Sequence, residues 1–285
     1  MTDFSNVFLI SDMDGTLINS KSQISTINKY ALNEFTKAGG TFAVATGRTL
    51  HSCKQYIPEL PINAPSIFYN GTILQDTNNN VVLKTLSLQT KILFNFLKQC
   101  LIHCPNTCIE LHTKDTFYII TKEEFDDPVI KRENLSYIRS NLDDLYDLDI
   151  LKVQFYTTNT HTISWLHNFA KSMEMDKIAK YFTSTSWSSY FELIPKNASK
   201  GIMLDNLRKM PMYKDKIFIA VGDFDNDIEM LLFADYGIAA QNATQNLKQV
   251  ADIIGVSCDE HLLFHVINKI IPNLDKLMIT TLQTA

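Results

Sequence analysis

No stretch of this 285-residue chain approaches the roughly 20 consecutive apolar residues that a helix needs to span a bilayer. An integral membrane protein is therefore not expected. The opening MTDFSNVFLI places an acid, not a basic cluster, ahead of its short apolar run, which argues against a secretory leader. Lysines and arginines are scattered, the formal net charge is −5, and no concentrated basic face emerges, so nucleic acid is not an expected partner. Only five cysteines occur, Cys53, Cys100, Cys104, Cys108 and Cys258. An odd count without a Cys-x-x-Cys pair excludes a disulfide framework and points to a reducing compartment, taken as the cytoplasm. Internal repeats and low-complexity tracts are missing. So are the Gly-x-Ser-x-Gly, Gly-x-Gly-x-x-Gly and Walker lysine patterns of other chemistries.

What is there suits a globular chain. Residues are 45% hydrophobic and 20% charged, enough to bury a sizeable core in one large domain or two modest ones. Val7–Ile10 is a short, uniformly apolar run, the mark of a buried parallel strand. Ser25 opens a helical pattern with Ile27, Ala31, Leu32 and Phe35 on one face, closed by Gly39-Gly40. Thr41–Ala45 and Ser66–Tyr69 read as further strands, the second ended by the turn pair Asn70-Gly71. Strand alternating with helix predicts a parallel α/β sheet.

The pattern changes near residue 83. Strands are expected at Val81–Leu86, Ile109–Leu111, Phe117–Ile120, Lys152–Tyr156 and Tyr190–Ile194. Helices are expected at Lys91–Leu101 and around Thr160–Met173. This α+β run reads as a unit inserted into the first, and Trp165, Trp187 and Tyr190 within it have core packing as their default role. After Pro195 the alternation returns. It brings a helix at Lys200–Lys209, a strand at Lys216–Val221, a helix at Asn226–Ala234, a strand at Tyr236–Ala239 and a closing helix at Glu260–Ile271.

Two acidic segments directly follow strands: Asp12-Met13-Asp14-Gly15-Thr16-Leu17 and Gly222-Asp223-Phe224-Asp225-Asn226-Asp227. Open parallel sheets bind ligands beyond the carboxyl ends of their strands. If the two strands are neighbours, these carboxylates converge. Two of them about 4 Å apart repel by roughly 4 kcal/mol at an effective dielectric near 20, and three or more demand a cation. All-oxygen donors with few protein ligands favour magnesium. A helix-loop-helix calcium site needs Gly at its sixth position and Glu at its twelfth. Counting from Asp12 the sixth is Leu17; counting from Asp223 the sixth is Ile228 and the twelfth Ala234. Asn226 with Glu229 also fits a helix cap. A phosphoryl-transfer site further needs a cation and hydrogen-bond donors. Lys200, and the Thr46 hydroxyl with the Gly47 backbone amide, stand where they can supply them. A helix start explains Thr46-Gly47-Arg48 equally well.

Taken in order, Asp12-Met13-Asp14-Gly15-Thr16-Leu17, Thr46-Gly47-Arg48, Lys200-Gly201 and Gly222-Asp223-Phe224-Asp225-Asn226-Asp227, with Asn70-Gly71 and Asn242-Ala243, resemble the haloacid dehalogenase superfamily, specifically its Cof-type (type IIB) phosphatases. The resemblance implies a Rossmann-like, doubly wound parallel-sheet core over residues 1–82 and 195–285. An inserted α+β cap over 83–194 would close over the substrate. It implies a magnesium-dependent phosphomonoester hydrolase acting on a small phosphorylated metabolite, a sugar phosphate or a phosphorylated cofactor. Asp12 would be the nucleophile that forms an aspartyl-phosphate, and Asp14 the general acid and base. Thr46 and Lys200 would hold the phosphoryl group. Asp12, the Asp14 backbone carbonyl and Asp223 would hold magnesium, with Asp227 bound directly or through water. Gly47, Arg48, Asn70 and Asn226 are the expected substrate-binding positions. Met13 and Ala240-Gln241 depart from the family pattern, where Leu and Met-Gly are commoner.

A phosphomutase of the same superfamily and a non-catalytic sugar-phosphate-binding regulator are the competing readings. Cys100, His103, Cys104, Cys108 and His112 form a weaker metal-site candidate, interrupted by Pro105.

Overall fold

The computed structural model describes residues 3–88, 90–132, 134–184 and 189–274, so Trp187 lies outside the described residues. The chain forms two compact units. The first comprises the segment up to Gly47, Cys53–Leu83 and the chain from Ser199 onward; the second comprises Arg48–Ser52 and Lys84–Ala198. The second unit thus starts where the sequence pattern changes, ends beyond the expected Ile194, and also takes in Arg48.

In chain order the elements begin with β1 (Val7–Ser11), α1 (Thr26–Lys37), β2 (Thr41–Val44), α2 (Leu50–Cys53), β3 (Ser66–Phe68), β4 (Ile73–Asp76) and β5 (Val81–Thr85). There follow α3 (Thr90–His103), β6 (Cys108–His112), β7 (Phe117–Ile119), α4 (Pro128–Arg132), β8 (Ile138–Arg139), β9 (Lys152–Thr157), α5 (Thr160–Ser172), β10 (Ala179–Ser184) and β11 (Ser189–Pro195). The remainder is α6 (Lys200–Arg208), β12 (Ile217–Gly222), α7 (Ile228–Phe233), β13 (Tyr236–Ala239), α8 (Gln245–Val250), β14 (Ile253–Ile254) and α9 (Leu262–His265). No described helix is long and apolar enough to cross a membrane.

The first unit is built on a parallel sheet of order β14-β13-β12-β1-β2. Every residue of β1 is buried, as expected for a central strand covered on both faces. It pairs in parallel with β12 on one side and β2 on the other, Ser11 opposite both Val221 and Val44. The chain builds from β1 towards β2, then returns on the other side of β1 as β12. The strand order therefore reverses beside β1, the place where open α/β sheets form a ligand crevice. A smaller sheet of order β3-β4-β5 follows β2 in the chain.

Helix α1 begins as expected, with the Ser25 hydroxyl accepting from the Asn28 amide. Ala31, Leu32 and Phe35 are buried, but Ile27 is 40% exposed and Asn28 takes the inward position. The buried Asn28 Oδ1 accepts from the Phe264 amide at 3.0 Å, while its Nδ2 has no partner among the described residues. The expected closing helix at Glu260–Ile271 is broken up. Ser257 and Glu260 close a capping box on a separate turn, and His261 then adopts φ 62. Helix α9 runs into a π turn at Val266–Ile270 and a 3₁₀ turn at Ile271–Asn273. Likewise, the expected helix from Asn226 begins as a 3₁₀ turn, Asp225–Asp227, before α7.

The second unit holds a sheet of order β10-β11-β9-β6-β7-β8, antiparallel except for the β7–β8 pair. One face of it, Ile109, Leu111, Val153, Phe155, Phe191 and Leu193, shares a hydrophobic core with Leu93, Phe96 and Leu97 of α3 and Leu166 and Ala170 of α5. Each of these Val, Leu, Ile and Phe side chains contributes about 1.5–3 kcal/mol on burial. The alternate residues make a polar face. There, buried His112 Nε2 lies 3.1 Å from Glu110 Oε2, and Lys152 Nζ lies 2.8 Å from Glu192 Oε1.

Candidate active site

The first acidic segment is wound tightly after β1. The Asp12 amide donates to the Val221 carbonyl, which extends the β1–β12 ladder by one residue. The Ile18 amide donates back to Met13 and the Gly15 amide to Ile18, closing a compact loop. Within it Met13 is fully buried beside Cys53, Asp12 is 5% exposed and Asp14 is exposed. Two carboxylates two residues apart thus occupy opposite environments. Gly15 is obligatory here: its φ is +72, and a Cβ would stand 2.3 Å from Asp223 Oδ2.

Lys200 reaches this loop from the first turn of α6. The Ser199 hydroxyl caps that helix by accepting from the Ile202 amide. The lysine side chain is 0% exposed, and its Nζ donates to Asp12 Oδ1 and to Asp227 Oδ1, both at 2.6 Å. Gly201 lets α6 approach α7 closely, since a Cβ there would meet the Glu229 backbone at 2.6 Å.

The second acidic segment turns sharply after β12. Asp227 Oδ2 accepts from the Asp223 and Phe224 amides at 3.1 and 3.2 Å, so Asp227, not Asn226, organises this turn. Asp223 Oδ1 accepts from the Thr16 hydroxyl at 3.2 Å. Asp225 points elsewhere, accepting from Thr244 and Asn246. Thr46 is fully buried at the end of β2, and its carbonyl accepts from the Asn70 amide at 3.0 Å. Asn70 Oδ1 in turn accepts from Asn226 Nδ2 at 2.8 Å.

Asp12, Asp223 and Asp227 thus offer carboxylate oxygens that all lie within 4.8 Å of one another. Lys200 is the cation bonded to this cluster. Burial pushes the Asp12 carboxyl well above the usual carboxylate range; Lys200 opposes this, while Asp227, Asp223 and Asp14 add to it. Asp223 is pushed up to about 6, chiefly by burial and by Asp227, against the pull of Lys200 and of hydrogen bonds from Thr16 and Asp12. Burial alone would lower Lys200, but Asp12 and Asp227 outweigh it and hold the ammonium protonated. Three clustered carboxylates against one ammonium leave an excess of negative charge in a buried place. Such a set is stable only with protons or a further cation. Asn226 Oδ1 adds a buried acceptor with no donor among the described residues. A hard divalent ion fits this all-oxygen donor set.

Of the positions expected from sequence, Asp12, Asp223, Asp227 and Lys200 meet directly. Asp14 shares the Asp12 loop, and Thr46, Gly47, Asn70 and Asn226 form a linked group in the same unit. Arg48 belongs to the second unit. Two contributors stood in the motifs without a role: Thr16 in the first, and Asn242 of Asn242-Ala243, whose Nδ2 donates to the Gly15 carbonyl at 2.8 Å. Among the described residues no other His, Cys, Asp or Glu group is arranged for a metal. All five cysteines are buried and none is in a disulfide, and burial pushes the Cys104 thiol up to about 11.

The family model for haloacid dehalogenase-like hydrolases matches residues 9–267. The chain is 28% identical over 278 residues to the Endoribonuclease YBEY, chloroplastic, of Arabidopsis thaliana, a match covering 89% of this chain and 44% of that protein. The chain therefore spans less than half the length of that relative. It is 26% identical over 277 residues to the Putative phosphatase YxeH of Bacillus subtilis, covering 91% of this chain and 96% of that protein. A solved structure of a haloacid dehalogenase-like hydrolase from Bacteroides thetaiotaomicron has the same fold, with a TM-score of 0.79 at 22% identity, over 93% of this chain and 99% of that one.

Proposed function

The chain belongs to the haloacid dehalogenase-like hydrolase family, and from that premise we propose that it is a magnesium-dependent phosphatase of small phosphorylated metabolites. The observation that carries this reading is the meeting of Asp12, Asp223 and Asp227 with a fully buried Lys200 beside the strand-order reversal. The length-matched Bacillus subtilis relative, named a putative phosphatase, supports it.

In this reading a substrate phosphoryl group meets Asp12, whose carboxylate attacks phosphorus as the bond to the leaving oxygen breaks. Asp14, exposed beside it, gives its proton to that oxygen, and the leaving group departs as an alcohol. Asp14 then takes a proton from water, and the resulting nucleophile attacks the phosphorus of the aspartyl-phosphate. Inorganic phosphate leaves and Asp12 is restored. Two easier displacements thus replace one hard one. Lys200 fixes the Asp12 carboxylate and offers positive charge to the phosphoryl oxygens. Thr46 and the Gly47 amide supply hydrogen-bond donors, and Asn70 and Asn226 belong to the same group. Arg48 is a further candidate for the substrate. Asp12, Asp223 and the Asp14 carbonyl would hold magnesium, with Asp227 bound directly or through water; Lys200 and the Asp223 and Phe224 amides fix the Asp227 carboxylate. Magnesium would neutralise the clustered charge and polarise the phosphoryl oxygens. The metabolite is a sugar phosphate or a phosphorylated cofactor.

The test is hydrolysis of p-nitrophenyl phosphate, followed by a panel of phosphorylated metabolites ranked by kcat/KM. Activity is expected to need magnesium, to resist rescue by calcium and to fall at least 10³-fold in Asp12→Asn with the fold intact. An Asp12→Asn enzyme that still turns over would refute the nucleophile assignment.

A further inference from the structure

Asn242 and Ala243 lie in the loop that follows β13, and the phosphatase reading gives them no task. Strand β13 neighbours β12 and not β1, so no backbone ladder joins this loop to the first acidic segment. The loop is docked on the second one. The Ala240 amide donates to the Gly222 carbonyl and the Thr244 amide to the Asp223 carbonyl, both at 2.9 Å. The Thr244 hydroxyl and Asn246 Nδ2 donate to the two carboxylate oxygens of Asp225 at 2.6 and 3.0 Å. From that base Asn242 reaches the first segment. Its Nδ2 donates to the Gly15 carbonyl at 2.8 Å, and its Oδ1 accepts from the Cys258 amide at 2.9 Å. A donor meets an acceptor at each end, which fixes one orientation of this side-chain amide.

Gly15 stands between two expected ligands of the metal. Its amide donates to the Ile18 carbonyl at 3.1 Å and shares one planar peptide group with the Asp14 carbonyl. Its Cα lies against the Asp223 carboxylate, since a Cβ built on it would stand 2.3 Å from Asp223 Oδ2. Asp223 has an anchor of its own, the Thr16 hydroxyl 3.2 Å from Oδ1. The Asp14 carbonyl depends on the Gly15 backbone, and a glycine at φ +72 is conformationally free unless its flanking groups are held. Asn242 holds the far one.

We infer that Asn242 is a positioning residue for magnesium: through the Gly15 carbonyl it sets the spacing between the Asp14 carbonyl and the Asp223 carboxylate. This deepens the phosphatase reading and rests on its metal site. The consequence is ion choice. Magnesium demands near-octahedral oxygens at about 2.0–2.1 Å, whereas calcium accepts a looser shell at about 2.3–2.6 Å. Slack at Gly15 therefore penalises magnesium more than calcium. Groups that orient metal ligands from outside typically cost about 10–100-fold in affinity when removed. Asn242 is itself exposed, so its side chain adds little to packing and its loss is separable from folding.

Calorimetric titration of the full-length, chelator-stripped protein with magnesium and with calcium tests this, with thermal midpoints in chelator to confirm folding. Asn242→Ala is expected to weaken magnesium binding about tenfold and calcium binding less than about threefold. Asn246→Ala loses a surface bond on the same loop but not the one to Gly15, and is expected to leave both affinities within about twofold. A magnesium affinity within about twofold of wild type in Asn242→Ala, an equal loss for both ions, or the same loss in Asn246→Ala overturns the inference. Should Asn242→Ala not fold, Asn242→Asp decides. It keeps the acceptor for the Cys258 amide and sets an oxygen against the Gly15 carbonyl, while its added charge acts on both divalent ions and cancels in their ratio. The ratio of magnesium to calcium affinity is expected to fall at least about threefold, and an unchanged ratio overturns the positioning role. A wild type that binds no magnesium overturns the metal assignment and this inference together. A wild type that binds magnesium, with Asn242→Ala binding it equally well, removes this inference alone.

Discussion

With its ammonium buried and 2.6 Å from two carboxylates, Lys200 balances charge that the surrounding protein cannot solvate. Removing one partner of a buried ion pair typically costs about 3–5 kcal/mol, because the other charge is stranded. Lys200→Ala is therefore expected to abolish turnover and to destabilise the protein by about 3 kcal/mol in chelator. The deficit is expected to shrink when magnesium is added, because a bound cation compensates the same carboxylates. Urea melts with and without magnesium check it, and an equal deficit in both would show that no cation shares the site. Gly15→Ala probes the same cluster sterically. Its Cβ would displace Asp223, so a loss of at least tenfold in kcat is expected, with weaker magnesium activation. At this scale much was legible. Asp12, Asp223 and Asp227 follow the ends of β1 and β12, where a parallel sheet delivers side chains, and Lys200 opens a helix behind a serine cap. Thr16 and Asn242 stood in the motifs, but their bridging roles were not legible, because which loop a hydroxyl or amide reaches leaves no mark in local composition.

Single strands of the second unit show how burial sets a protonation state. Glu110 on β6 is 3% exposed. It faces His112 on its own strand, Lys152 and Gln154 on β9, Glu192 on β11, and Cys108, Asp126 and Asp127 nearby. Burial, opposed by Lys152 and reinforced by Glu192 and Asp126, pushes Glu110 up to about 8. Burial and Lys152 push His112 down to about 3, against Glu192. The signs follow from linkage. Glu110 is protonated when folded, so its contribution is complete below the ordinary value of 4.5 and is lost as pH rises towards 8. His112 is neutral when folded, so its contribution is complete above 6.5 and is lost as pH falls towards 3. Between 4.5 and 6.5 the two slopes cancel, and between 6.5 and 8 stability falls. Glu110→Gln is expected to flatten that upper limb and raise the melting midpoint at pH 8 by roughly 4 °C relative to wild type. A wild type equally stable at pH 6 and pH 8 would contradict it. Elements themselves were legible where a run was uniformly apolar, as at β1, or capped, as at α1. They were misread where a side chain broke the period, as with buried Asn28, or where a capping box at Ser257 closed its own turn ahead of α9.

Considered as a whole, the chain gains stability from any cation its acids hold. A ligand that binds only the folded state adds about 2.7 kcal/mol at a hundredfold excess over its dissociation constant. Magnesium is thus expected to raise a melting transition by several degrees and chelator to reverse it, with Asp223→Asn losing the response. A scan unchanged by magnesium in the wild type would count against the metal assignment. The α/β class and the inserted α+β run were readable because strand–helix alternation stops near residue 83 and resumes after Pro195. The assignment of Arg48–Ser52 to the second unit was not, since it depends on contacts made far along the chain.

The first unit is assembled from segments on either side of an insertion, and its candidate site draws on both: Asp12, Thr46 and Asn70 come before, Lys200, Asp223 and Asn226 after. During translation β1 and β2 therefore emerge without β12. At about 5–20 residues per second, the 84–198 segment alone delays the pairing of β1 with β12 by roughly 6–23 seconds. For that interval the nascent protein exposes apolar strand edges and has no catalytic power, and a ribosome stalled within the insertion would release a product for chaperones and proteases to clear.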